Sequence, residues 1–297
     1  MFDRFSMGYF YLSISVIFWG SGYVLSKIPI DQVVPSVAVF TRFFIVAICS
    51  LFILIYHWST FTRLTRKDHL IFLTMGLALG IYNWFYLEGL ARTNVIDSIF
   101  IETAFIPIFT VLIVYFFKTP ISKNQWIGVS ISILGCSFFF YPLLEVDSFH
   151  STRIIGIIIL FLSVFSWILY TLLGKEIFSK INILVGTSYA MIISSFFLLL
   201  IAYPDIQNVF WSDLHTDYWL TQLYLGICSS VIGNICYAIG IKKVGAATGS
   251  LFLFLVPIVG FLLAHLLIQE TLTMIQIIGT FTMLIGVWHA NKVGKSS

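Results

Sequence analysis

Read from its N-terminus, the chain alternates between long apolar runs and short polar punctuation. Ten runs of about 17–22 residues stand out, at 8–27, 35–56, 69–88, 96–117, 124–141, 154–173, 184–202, 219–240, 247–268 and 274–290. A bilayer core about 30 Å thick takes roughly 20 residues of α-helix per crossing, and backbone polar groups in lipid must be satisfied within the segment. The pattern therefore predicts an all-α integral membrane protein of ten transmembrane helices. Segments of about 9–11 residues with alternating polarity, the signature of a membrane barrel, are absent from the sequence. Few connections exceed about eight residues, so no soluble domain is expected in the loops. The first run follows residues 1–7, is too long for a signal-peptide core and lacks a small-residue cleavage site. A retained first helix is expected.

Composition sharpens this. The chain is 59% hydrophobic and 10% charged, with mean hydropathy +1.00. Soluble domains are nearer ~45–50% apolar and ~25% charged, so a water-soluble enzyme is excluded. Thirty Phe exclude disorder, four Cys inside apolar runs exclude a disulfide scaffold, and a net charge of +3 builds no face for nucleic acid. The lipid bilayer is the first expected partner.

Lys and Arg are distributed unevenly. With ten crossings, both termini and the even-numbered connections share a side, which holds Arg4, Arg63, Arg66, Lys67, Lys118, Lys123, Lys175, Lys180, Lys242, Lys243, Lys292 and Lys295. The other side holds Lys27, Arg92 and Arg153, and Arg42 lies within a helix. Cytoplasmic loops carry the basic excess, so both termini are expected to be cytoplasmic.

The chain also repeats itself. Asn83, Tyr86 and Gly89 match Asn234, Tyr237 and Gly240 at an offset of 151, and Gln125, Gly128 and Gly135 match Gln276, Gly279 and Gly286 at the same offset. Trp19 and Trp167 lie 148 apart, Pro107 and Pro257 150 apart. The expected units are an N-terminal five-helix repeat over 1–145 and a C-terminal one over 146–297. Because five is odd, the second unit must enter the membrane upside down. Inverted repeats enclose a midplane site in alternating-access transporters. Mid-span proline frees a carbonyl and bends a helix, so Pro107 and Pro257, in predicted helices 4 and 9, are candidate hinges.

FWGSGYVLSK at 18–27, the P-x6-R of Pro35 and Arg42, SWILYTLLGKE at 166–176 and QETLTMIQIIGTFTMLIGV at 269–287 resemble the EamA-type transporters of the drug/metabolite transporter superfamily. The resemblance spans essentially the whole chain. It implies ten helices in two inverted five-helix repeats, a solute cavity between helices 1, 3, 4, 6, 8 and 9, and a bacterial inner (plasma) membrane protein exporting amino acids or small metabolites. The family often places an acidic residue at the end of helix 4, as Glu270 does after helix 9; this chain has Lys118 and Thr119 there instead.

Intramembrane charges cost at least ~2.5–3.5 kcal/mol each on insertion scales, so each requires a reason. Glu102 and Arg42 lie at similar depth from the same side. Two readings stand: the pair neutralises itself, or Glu102 faces the cavity and takes a substrate ammonium or a coupling proton. Glu88, Arg92 and Asp97 cluster at the outer ends of helices 3 and 4, Glu88 and Arg92 at the i,i+4 spacing of a helix-face pair. His265 is expected to snorkel. Asn83 and Asn234, with Tyr82, Tyr86, Tyr237, Trp19 and Trp167, make a candidate substrate site whose rings stack an apolar part while their polar tips orient a head group. Interfacial anchoring is the rival reading for Trp and Tyr, but Trp19 and Trp167 lie too deep for it. The GxxxG pairs Gly76/Gly80 and Gly245/Gly249 read as packing.

The expected function is secondary transport of a small-molecule substrate by alternating access, most simply export of amino acids or related metabolites. A carrier or exchanger for phosphorylated or nucleotide-linked solutes is the alternative, although two phosphate charges want several buried cations and Arg42 stands alone. An intramembrane enzyme or sensor is less consistent with the chain: HExxH, CxxC, GxSxG and Walker motifs are absent from the sequence. No enzymatic activity, cofactor or metal is expected.

Overall fold

The computed structural model describes residues 4–57, 64–116, 122–144, 151–178, 181–244, 252–253 and 255–291. Among them the architecture is all-helical. Helix α1 is Arg4–Leu25, followed by a single turn Lys27–Ile30; α2 is Pro35–Tyr56, α3 Arg66–Leu90, α4 Val95–Phe116 and α5 Lys123–Phe140. In the second half α6 is Ser151–Ile177 and α7 Ile183–Ile206. The rod α8 runs through Thr216–Leu223, a π-wound stretch Tyr224–Ile232 and Gly233–Val244; α9 is Leu255–Ile268 and α10 Met274–Asn291. Helices α1, α2, α3, α6, α7 and α8 are long and apolar enough to cross a bilayer, and α9 and α10 are shorter apolar helices. The ten expected rods are therefore present, α6 and α8 longer than their apolar runs.

Local chemistry starts the helices. Thr65 and Asp68 form a reciprocal capping box at α3, and Ser122 and Gln125 form one at α5. Thr273 and Gln276 exchange the same bonds at α10. Each box satisfies amide donors that helix starts leave unpaired. The α5 and α10 boxes occupy matched positions, so the repeat extends to its caps.

The hydrophobic core is seeded with buried hydroxyls, and large apolar side chains also cover the outer surface. Ser15, Ser50, Ser98, Ser163 and Ser194 are fully buried, whereas Phe52 and Leu200 are 70% and 74% exposed. Lipid tails solvate Leu and Phe, so association comes from close approach and interhelical hydrogen bonds. Ser194 donates to the Gly76 carbonyl at 2.7 Å and Ser195 to the Phe43 carbonyl at 2.7 Å, tying α7 to α3 and α2.

Packing repeats with the sequence. Helix α3 lies along α6, as α8 lies along α1; α4 packs on α6, as α9 packs on α1. A Cβ on Gly89 would fall 2.6 Å from Leu160 Cγ, and one on its mate Gly240 2.6 Å from Leu12 Cγ. The two-fold relation is tightest between α5 and α10. A Cβ on Gly135 would lie 2.4 Å from the Met283 amide nitrogen, and one on Gly286 2.5 Å from that of Ser132. Glycine is required there because backbone meets backbone. Gly76 and Gly80 press on Ile193 and Phe197 of α7, in keeping with the packing role expected of them; Gly245 and Gly249 lie outside the described residues.

The halves differ in one element. Helix α8 is π-wound over Tyr224–Ile232, whereas the matched stretch of α3 is regular α-helix. Ser230 donates to the Leu225 carbonyl five residues back at 2.9 Å, following the wider winding. The Trp19 indole donates to a carbonyl of this stretch, Ser229 O, at 3.1 Å, where such windings often mark functional sites.

Candidate functional site

The helices enclose a cavity of about 470 Å³. The residues singled out from the sequence converge on it: Trp19 from α1, Arg42 from α2, Tyr82, Asn83 and Tyr86 from α3, Glu102 from α4, Trp167 from α6, Asn234 and Tyr237 from α8, and Pro257 from α9. The resemblance had placed the cavity between helices 1, 3, 4, 6, 8 and 9. Three further rods contribute to it: α2 through Arg42 and Phe43, α7 through Met191, and α10 through Leu284 and Val287.

Sequence reasoning missed Tyr23 and Ser26, which line the cavity with Trp19. Their spacing of four and seven residues from Trp19 puts all three on one helical face, a signal that was available. It also missed Thr103, Ser229 and Ser230. Nothing local distinguishes these from the many serines and threonines that donate to their own helix.

Aromatic rings cluster along the wall. Tyr23 meets Tyr86 edge-on at 5.6 Å, Tyr86 stacks with Tyr82 at 6.3 Å, and Tyr82 meets Trp167 at 4.8 Å. Across the cavity Trp19 and Tyr237 stand 5.0 Å apart. The two matched asparagines behave alike, Asn83 donating to the Leu79 carbonyl at 2.9 Å and Asn234 to the Ser230 carbonyl at 2.5 Å. Each side-chain amide is thereby anchored one turn back on its own helix.

The Arg42–Glu102 ion pair, one of the two readings open from sequence, does not form. Arg42, 5% exposed, donates from Nη2 to Ser26 Oγ at 2.9 Å, and its Nε has no hydrogen-bond partner. Glu102, 1% exposed, accepts at Oε1 from the Ser163 hydroxyl, and its Oε2 has none. Equal depth on two helices does not set lateral distance, and the tyrosines of α1 and α3 occupy the space around both groups.

The expected hinges come out unequally. Pro257 is not mid-helix: Leu253 is in a turn, and α9 starts at Leu255. Proline within the first turn leaves no intrahelical bond unmade, so the helix is interrupted there instead of kinked. Pro107 lies within the continuous α4, and its side chain is outside the described residues.

Polar contacts lace one half to the other at the face expected to be external. Asp97, 1% exposed, is held by Arg153 through Nε at 2.8 Å and Nη2 at 3.0 Å, instead of joining Glu88 and Arg92, which pair with each other. Ser36 donates to Asp205 at 2.5 Å, and Gln32 bonds Asp217 at 3.0 Å and the His215 amide at 3.1 Å. Glu270 accepts from the first two amides of α4, Val95 at 3.1 Å and Ile96 at 3.0 Å. Gln269 sets this up by taking φ 56°, a left-handed conformation that ends α9 and turns the next residue toward α4.

A ten-rod bundle with repeated packing around a shared internal cavity defines a multi-pass membrane transporter architecture. The profile of the EamA-like transporter family matches residues 6–141 and again 154–291. The chain belongs to the EamA-like transporter family, as its motifs had implied. An uncharacterized transporter of Bacillus subtilis, YyaM, is 25% identical over 93% of this chain and 91% of its own length. An uncharacterized transporter of Archaeoglobus fulgidus is 26% identical over 93% of this chain and 96% of its own. A solved crystal structure superimposes with TM-score 0.67 at 16% identity, over 97% of this chain and 98% of that one, a likeness of fold.

Proposed function

We propose that the chain is a secondary transporter of a bacterial inner membrane, with both termini cytoplasmic, that exports amino acids or related small metabolites by alternating access. The observation that carries this reading is a cavity lined from both halves, amphipathic in its walls and with the Glu102 carboxyl group at its lining. The cross-half contacts at the expected outer face support a state closed on that side, and the break before α9 supplies a place to bend. Opening requires those contacts to separate while the tightly fitted α5–α10 seam stays together.

Glu102 is proposed to couple transport to protons. Ser163 of α6, Tyr82 of α3 and Tyr23 of α1 neighbour it. A carboxyl group that holds either a proton or a solute cation, and not both at once, is the chemical requirement for exchange of one against the other. In proteoliposomes with amino acids inside, flux should rise with an inward proton gradient, and Glu102→Gln should abolish that pH dependence. An unchanged pH profile in Glu102→Gln removes Glu102 from coupling, and absence of counterflow for amino acids removes the substrate class.

A further inference from the structure

We propose that one extra residue in the second repeat, taken up as the π winding of α8, makes that helix a moving joint, and that Trp19 bolts the joint in the present state. This rests on the alternating-access reading above and goes beyond it by placing the moving part in one half only.

Packing locates the extra residue. After the π-wound stretch the halves match at an offset of 151, as Gly89 and Gly240 do. Before it they match at 150. A Cβ on Gly76 would fall 2.5 Å from Ile193 Cβ and 3.0 Å from the Ala190 carbonyl oxygen, and one on Gly226 would fall 3.1 Å from Ile45 Cβ and 3.3 Å from the Arg42 carbonyl oxygen. Ile45 and Ile193 are 148 apart, as are Arg42 and Ala190, so the two glycines meet equivalent surfaces of α7 and α2. From Gly76 to Asn83 the chain advances seven residues, and from Gly226 to Asn234 it advances eight. A π turn closes its hydrogen bond over five residues instead of four, so it absorbs a residue that α3 does not have.

The π-wound stretch also separates two attachments. Before it, Gln222 donates to the Ala38 carbonyl at 2.7 Å and to the Thr41 hydroxyl at 2.6 Å, fixing α8 to α2. After it, Ser15 donates to the Gly233 carbonyl at 2.9 Å and Leu12 packs beside Gly240, fixing α8 to α1. Helix α3 passes from α7 to α6 in the same way, but with regular winding. Sharp bends in helices concentrate at features such as π-bulges, so α8 can bend between its two neighbours without breaking either attachment.

Trp19 closes the joint. Its repeat mate Trp167 rests on the Tyr82 ring at 4.8 Å. The residue that matches Tyr82 is Gly233, and a Cβ there would lie 2.9 Å from Trp19 Nε1. The missing side chain admits the indole, which reaches the Ser229 carbonyl within the π-wound stretch. Equivalent tryptophans thus differ in role: one packs against a ring, the other holds the winding.

The test has two arms. In hydrogen exchange on the unaltered, detergent-purified chain, amides of 224–232 should exchange more than about tenfold faster than those of the matched α3 stretch 74–81; equal protection overturns the proposal. In the second arm residue 228 is deleted, restoring the seven-residue spacing, in a chain without native cysteines that carries Thr103→Cys. Labelling by a membrane-impermeant maleimide is followed from each face, in right-side-out and inside-out vesicles. Labelling should persist from one face and fall more than about tenfold from the other, and an Ala inserted after Val231 in the deleted chain should restore both rates. Rates within about twofold of the parent from both faces overturn the proposal, as does a folded rescue chain that stays one-sided. The exchange comparison decides where the deletion does not fold. Parent labelling from one face only, with fast exchange over 224–232, defeats alternating access and leaves the joint standing; labelling from both faces with equal protection of α3 and α8 does the reverse.

Discussion

Glu270→Ala tests whether the face proposed to be external is latched by a helix start. The Glu270 carboxylate reaches across the halves and accepts from the Val95 and Ile96 amides at 3.1 and 3.0 Å. Hydrogen bonds to a charged group contribute about 1.5–3 kcal/mol each, and a carboxylate at a helix N-terminus gains a further ~0.3–1 kcal/mol from the dipole. Glu270 is half-buried, so water replaces much of this when the contact opens. About 2 kcal/mol remains, which converts to a ~30-fold shift toward the state open on that face. The assay is labelling by a membrane-impermeant maleimide of Thr103→Cys, a cavity position, in a background lacking the native Cys49, Cys136, Cys228 and Cys236. The external labelling rate should rise by roughly that factor in Glu270→Ala and by less in Glu270→Gln, which keeps an acceptor. Labelling within about twofold of the parent, with unfolding temperature also unchanged, refutes the latch.

Three other outcomes are expected. Gly135→Ala puts a methyl group 2.4 Å from the Met283 nitrogen and 2.6 Å from the Gly279 carbonyl oxygen, so α10 must retreat; overpacking of about 1–3 kcal/mol should appear as a fall of several degrees in a detergent thermal-unfolding scan. Asp97→Asn removes the charge facing Arg153 and should destabilise by about 2 kcal/mol, less than a fully buried pair because Arg153 is partly exposed; a double-mutant cycle with Arg153→Met should recover part of the loss, and strict additivity would show that the pair is not coupled. Trp19→Phe keeps a ring beside Tyr237 but leaves the Ser229 carbonyl without its indole donor, and faster amide exchange within Tyr224–Ile232 is expected, with no change there excluding a role for Trp19 in holding the π-wound stretch.

Hydrophobic periodicity made the ten rods legible, because a bilayer imposes one length on every crossing. The 151-residue offset made the pairing legible too: residues that repeat in sequence, such as Gly89 and Gly240 or Gly135 and Gly286, are those where helix backbones touch. The cavity-lining residues were recognisable because polarity at depth is costly. The partners of the charges were not. Asp97 was grouped with Glu88 and Arg92 by proximity along the chain, yet it bonds Arg153 from the other half; Arg42 and Glu102, equal in depth, stand apart. The wider winding of α8 and the interruption before α9 also escaped, since the same apolar composition serves α, π and broken helix.

What the chain encodes locally is therefore hydrophobic length, caps, glycine spacing and the rarity of its buried charges, all set by the solvent each segment must enter. Lateral arrangement is another matter. Which helix faces which, and whether two ionisable groups at one depth meet or stand apart, depends on contacts between segments more than a hundred residues apart, and these exist only once the two halves have packed against each other.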